Sequence, residues 1–193
     1  MIELDFLFTS DQEIICSHFL EYYEGYSLEV RPTLQQAVDT KIAGKWTTLT
    51  FDKVIELLNE NPKLRIIFDT KEDDSKALIN KMLELSQTEG LDLRSKMIIQ
   101  VYSYEDYLEM NKFGFAEYWF TNYKANYLPH QINNYFSKHD NVTTIVLYEV
   151  LWKIYRGLNF SPNKKIAVHT VNNKDFINFM GSRGVDYVYS DYI

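Results

Sequence analysis

The chain has 193 residues, 46% of them hydrophobic, a formal net charge of −7 and a single cysteine. That apolar content is enough for a sizeable core. The negative charge disfavours nonspecific binding of DNA or RNA, which depends on clustered cations displacing counterions from phosphates, and the lone Cys16 excludes an internal disulfide. No apolar run is long enough to span a bilayer or to act as a secretory signal, so the chain as written is expected to be cytoplasmic. An upstream address stays open if the natural start precedes Met1.

The first element, Ile2-Glu3-Leu4-Asp5-Phe6-Leu7-Phe8, alternates with period two, which places Glu3 and Asp5 on one face of a strand. Two carboxylates on one face suit a hard divalent cation, Ca²⁺ or Mg²⁺. The alternative is the wet face of an edge strand. Thr9 to Glu13 reads as a polar turn, and Ile14-Ile15-Cys16-Ser17-His18 as a second apolar run that returns His18 towards the carboxylates. From Phe19 to Thr48 the period is lost, apart from a helical stretch near Leu34 to Val38. With Tyr22, Tyr23, Tyr26 and Trp46 it reads as a lid or insertion, or equally as a self-packed surface excursion.

Leu49 to Asp52 leads into an amphipathic helix through Leu58 that stops before Pro62. Leu64-Arg65-Ile66-Ile67-Phe68 is a buried-type strand ending in Asp69-Thr70-Lys71, where Asp69 and Lys71 share a face. An aspartate on a metal beside a lysine on a phosphoryl oxygen would stabilise charge developing in phosphodiester cleavage; the alternative is a surface ion pair of little worth. Ser75 to Leu85 has helical spacing and ends at Gly90, Lys96 to Val101 is a strand, and Ser103 caps a helix running to Lys112 and Gly114. Strands at Tyr118 to Thr121 and Thr143 to Tyr148, a helix at Glu149 to Tyr155, a strand at Lys165 to Asn172, a helix at Asp175 to Met180 and a last strand near Tyr187 to Tyr189 complete the chain.

This βα alternation predicts a parallel sheet in one domain, residues 1–193, without deciding between a closed barrel and a doubly wound open sheet. In the barrel, active sites gather at the C-terminal ends of the strands, where Asp69, His18, Gln100, Trp119, Thr121 and His169 fall. Trp119 reads more readily as core than as a ligand platform, and His169 reads equally as pocket or core.

In order and spacing, Glu3-x-Asp5, Cys16-Ser17-His18 and Asp69-Thr70-Lys71, followed by the two terminal strands, resemble the glycerophosphodiester phosphodiesterase family over nearly the whole chain. The resemblance implies a TIM-type (β/α) barrel, one divalent cation held by Glu3, Asp5 and Asp69, His18 as acid or base, Lys71 on the phosphate, and Gln100, Trp119, Thr121 and His169 on a small phosphodiester that yields an alcohol and glycerol phosphate. Departures accompany it. The family's opening strand, ending His-Arg-Gly, has no counterpart, Phe19 replaces an acidic residue, and Asp69 stands where glutamate is usual. With 193 residues against about 250 for a full barrel, the expectation is an incomplete barrel of about seven strands. Its activity is expected to be impaired by loss of the first catalytic histidine, or it is a catalytically silent member that keeps the phosphate and metal pocket. Unpaired sheet edges at Ile2 to Phe8 and Tyr187 to Tyr189 would favour a homodimer.

Overall fold

In the computed structural model, which describes residues 1–191 apart from Phe19, Glu21, Tyr22, Glu24, Ala43, Lys71, Asp73, Asn159 and Ser161, the period-two N-terminal run forms strand β1 (Ile2–Phe8). The chain divides into two compact units, Met1–Ile98 and Ile99–Ile193.

The first unit continues with β2 (Ile14–Cys16), α1 (Leu34–Asp39), β3 (Leu49–Thr50), α2 (Phe51–Glu60), β4 (Ile66–Thr70), α3 (Ser75–Thr88) and α4 (Leu93–Lys96). Its strand order is β3-β2-β1-β4. β1 and β4 run parallel, whereas β2 and β3 are antiparallel to their neighbours. For β2 the reason is the connection: Thr9 to Glu13 closes on itself, with Thr9 N–H donating to Glu13 O at 2.8 Å, and so short a link makes a hairpin where a parallel crossover needs a dozen residues or more.

This corrects two expectations. The sheet is mixed, and β1 is not an edge, because β2 covers one side of it and β4 the other. Phe6 to Phe8, paired with β2, are therefore not available to a second chain along that edge.

The two faces of β1 bury different things. Phe6 stacks on Phe68 at 5.6 Å between ring centroids and meets Phe51 edge-on at 6.0 Å, which docks the apolar face of α2, Val54, Ile55 and Leu58, onto the sheet. On the opposite face Leu7 joins Ile15, Leu20, Tyr23 and Ala37 in a separate buried cluster. The segment before β3 thus carries its own core. Tyr23 is fully buried, with its hydroxyl 2.8 Å from Thr48 Oγ1, and α1 is held by a capping box between Thr33 and Gln36. Of the aromatic residues read as lid material, Tyr23 is spent on packing, Trp46 is 59% exposed, and Tyr22 lies outside the described residues.

β5 (Met97–Val101) spans the boundary between the units. The second unit then runs α5 (Tyr104–Met110), a 3₁₀ turn (Asn111–Phe113), β6 (Glu117–Thr121), α6 (Pro129–Phe136), β7 (Val142–Tyr148), α7 (Glu149–Gly157), β8 (Lys165–His169), α8 (Lys174–Gly181) and β9 (Tyr187–Val188). β6 to β9 are adjacent in order and parallel. The expected cap is present, Ser103 Oγ accepting from Asp106 N–H at 3.0 Å. Helix α6 is an addition: Pro129 at its first position and buried Ile132 and Phe136 one turn apart fix it. The described residues hold nine strands where about seven were expected. The excess is the hairpin strand β2 and short β3. Among the described residues no helix is long and apolar enough to cross a membrane.

Candidate functional site

Strand register brings together two of the acidic residues singled out by the sequence. Asp5 on β1 and Asp69 on β4 are direct partners across a parallel ladder, so their side chains leave the same face of strands about 4.8 Å apart. Asp69 is 8% exposed. It terminates its strand in a tied turn: Thr70 N–H donates to Asp69 Oδ1 at 2.8 Å, Thr70 Oγ1 donates to Phe6 O at 2.7 Å, and Glu72 N–H donates to Thr70 Oγ1 at 3.0 Å. That turn fixes the carboxylate before any ligand binds.

On the other side of β1, Ser17 N–H donates to Asp5 O at 3.0 Å, extending the hairpin by one residue and setting Ser17 level with Asp5. His18 follows at the strand end and is exposed. Cys16 faces away with Phe6, its register partner. Burial, helped by the Asp5 charge, pushes its thiol well above the usual range, which excludes it as a nucleophile near neutral pH.

Glu3 shares the face of Asp5 but sits two residues earlier, about 6.6 Å along the strand, and is exposed. Among the described residues no three His, Cys, Asp or Glu side chains are grouped closely enough to hold a metal ion. The fit to a divalent cation is therefore carried by the Asp5–Asp69 pair: hard oxygen donors on one face, whose mutual repulsion a cation relieves. Lys71 lies outside the described residues.

One feature at this end of the sheet has no counterpart in the sequence reading. Arg31 forms a forked ion pair with Glu72, Nη2 to Oε2 at 3.1 Å and Nη1 to Oε1. The same guanidinium donates to Phe8 O at 3.0 Å, and Phe8 N–H donates to Glu72 Oε1 at 2.8 Å. The segment before α1 is thereby fastened to the ends of β1 and β4. The residues are 41 apart in sequence, and neither lies in a motif that would have pointed to the other.

In the second unit, Thr121 Oγ1 donates to Gln100 Oε1 at 3.0 Å, and both residues are buried, at 2% and 8% exposure. Trp119 is packed away. Its indole N–H donates to Glu117 Oε1 at 2.7 Å, its ring stacks on Tyr187 at 5.1 Å, and 1% of it is exposed, which is core packing, not a ligand platform. His169 ends β8 beside Tyr123 and Tyr189, with ring centroids at 5.7 and 6.2 Å. Its Nε2 is buried and has no hydrogen-bond partner among the described residues, and burial holds its pKa below the usual 6.5.

No family model and no curated protein matches the sequence. Solved structures do match in fold. A glycerophosphodiester phosphodiesterase from Parabacteroides distasonis superposes with a TM-score of 0.70 at 16% identity, covering 98% of this chain and 78% of that one. A protein of Silicibacter pomeroyi assigned as a glycerophosphoryl diester phosphodiesterase gives 0.71 at 12% identity, with 98% and 79% covered. A phosphodiesterase from Oleispira antarctica, in complex with its product sn-glycerol-3-phosphate, gives 0.63 at 12% identity, with 98% and 80% covered. The chain has the mixed α/β, TIM-type fold of these phosphodiesterases.

Proposed function

We propose that the protein is a metal-dependent phosphodiester hydrolase of the glycerophosphodiester type. The observation that carries this reading is the side-by-side placement of Asp5 and Asp69 at the end of a parallel β pair, in a fold shared with such hydrolases. Asp5 and Asp69 would hold the divalent cation. When bound, the cation supplies positive charge to a nonbridging phosphate oxygen. His18, next to Ser17 at the strand end, would carry the proton exchanged at the attacking or leaving oxygen, a task suited to imidazole near neutral pH. Lys71 would add a second positive contact to the phosphate. Gln100, Thr121 and His169 would serve polar groups of a ligand, and Trp119 has no such role.

A second reading is a phosphate- and metal-binding protein without turnover, in which the Asp5–Asp69 pair would hold a cation but His18, exposed at the strand end, would exchange no proton. Hydrolysis of bis-p-nitrophenyl phosphate with added Ca²⁺ or Mg²⁺ tests both. The hydrolase reading expects cation-dependent turnover that falls by about 10²–10⁴ in His18→Ala and vanishes in Asp69→Asn. Cation binding by calorimetry without turnover selects the second reading. Turnover indifferent to Asp69 defeats both.

A further inference from the structure

A different part of the second unit has the makings of a ligand site. A cavity of about 300 Å³ lies between α7, the turn that follows α8, and the β7 and β8 strands. Its walls are Leu147, Trp152, Tyr155, Phe160 and Ile166. Tyr155 brings only its ring to the wall, because its hydroxyl donates to Tyr127 O and accepts from Asn122 Nδ2. A cavity of this size with aromatic and aliphatic walls lies at the lower end of the range for small-molecule sites.

The rim is cationic. Arg156 and Arg183 both line the cavity, and both guanidinium groups lie against the same ring, 5.8 and 5.4 Å from the centroid of Phe179. Arg156 also lies 5.3 Å from the Trp152 ring. Among the described residues neither arginine has a carboxylate within ion-pair distance, and neither side chain donates a hydrogen bond. Two like charges converging on one ring without a counter-charge is unfavourable by itself, and the compensating cation–π attraction at exposed positions is small. Aromatic contact engages the face of a guanidinium and leaves its N–H edge free, the edge that pairs with carboxylate or phosphate oxygens.

We propose that this cavity binds a small amphipathic anion: an aromatic or aliphatic body inside the walls, and a carboxylate or phosphate group bridging Arg156 and Arg183. The neutral wall and the paired cations each select against a simpler ligand. An uncharged aromatic leaves the guanidinium pair uncompensated, and inorganic phosphate leaves the apolar walls in water.

The test is titration of the full chain with 2-naphthoate, followed by calorimetry and by tryptophan fluorescence, since Trp152 lines the cavity. One saturating site is expected, with 2-naphthol and inorganic phosphate each binding at least about tenfold more weakly. The double variant Arg156→Gln/Arg183→Gln should lose at least about tenfold in affinity, the worth of one charge-assisted hydrogen bond. The Arg156→Lys/Arg183→Lys variant, which keeps charge but not the fork, should fall between it and the wild type. Asp69→Asn should bind 2-naphthoate as the wild type does, so failure of the hydrolase reading leaves this result untouched. Absence of saturable binding, unchanged affinity in the glutamine variant, or phosphate binding as tightly as naphthoate would overturn the proposal. So would arginine-dependent sedimentation with phosphatidylglycerol vesicles in a protein that ignores naphthoate, which would assign the patch to a lipid surface.

Discussion

Asp69→Asn is expected to abolish the response of the fold to divalent cations. Asp5 and Asp69 are register partners on adjacent parallel strands, so their charges lie about 5 Å apart, given ordinary strand spacing. Asp69 is buried and Asp5 partly so, and a divalent cation held by both would lose one of its two charged ligands in the variant. The substitution is otherwise conservative: an asparagine oxygen can keep accepting the Thr70 N–H, at 2.8 Å in the wild type, so the turn survives. Urea unfolding of both proteins, first in chelator and then with Ca²⁺ or Mg²⁺, gives the two numbers needed. At a cation concentration about 100 times its dissociation constant the wild type should gain about 2.7 kcal/mol, and the variant almost nothing. A variant that keeps the cation-induced gain would refute the paired-carboxylate argument.

Arg31→Ala removes a forked ion pair and the bond to Phe8 O; with the Arg31 and Glu72 side chains 24% and 10% exposed, a loss of about 2–3 kcal/mol is expected, and a double-mutant cycle with Glu72→Ala should return a coupling above about 1 kcal/mol. Equal hydrogen-exchange rates at Phe8 in wild type and Glu72→Ala would contradict the clamp, because Phe8 N–H donates to Glu72. Thr121→Val takes the hydroxyl donor from buried Gln100 Oε1 and should cost about 1–3 kcal/mol in thermal or urea unfolding; a neutral result would mean that water replaces it. His169 supplies a pH dependence. Burial depresses its folded pKa below the usual 6.5, so the unfolded chain takes up the proton first; this contribution to stability is complete above about pH 6.5 and declines as pH falls through and below it. His169→Gln should flatten that acid-side decline, and superimposable stability curves for the two proteins between about pH 7 and 5 would show that the imidazole is not buried neutral.

Local physics settled the elements whose signal is contained in a few residues. The alternation in Ile2 to Phe8 placed Glu3 and Asp5 on one face, Ser103 announced the start of a helix and Pro62 the end of another, and the apolar run before Asp69 read as a buried strand. Pairing is a different matter, because hydrogen-bonded partners come from distant segments. Only the register of β1 on β4 puts Asp5 beside Asp69 and leaves Glu3 two residues away, and only the brevity of the Thr9 to Glu13 link, seen with its partners, turns β2 antiparallel. Trp119 was legible as either ligand platform or core; Tyr187 and Glu117, packed against it in space, made it core. The Arg31–Glu72 fork and the Arg156–Arg183 rim were invisible for the same reason. A sequence fixes which charges a chain carries, but the distances between them, which set their energies, are decided by tertiary packing.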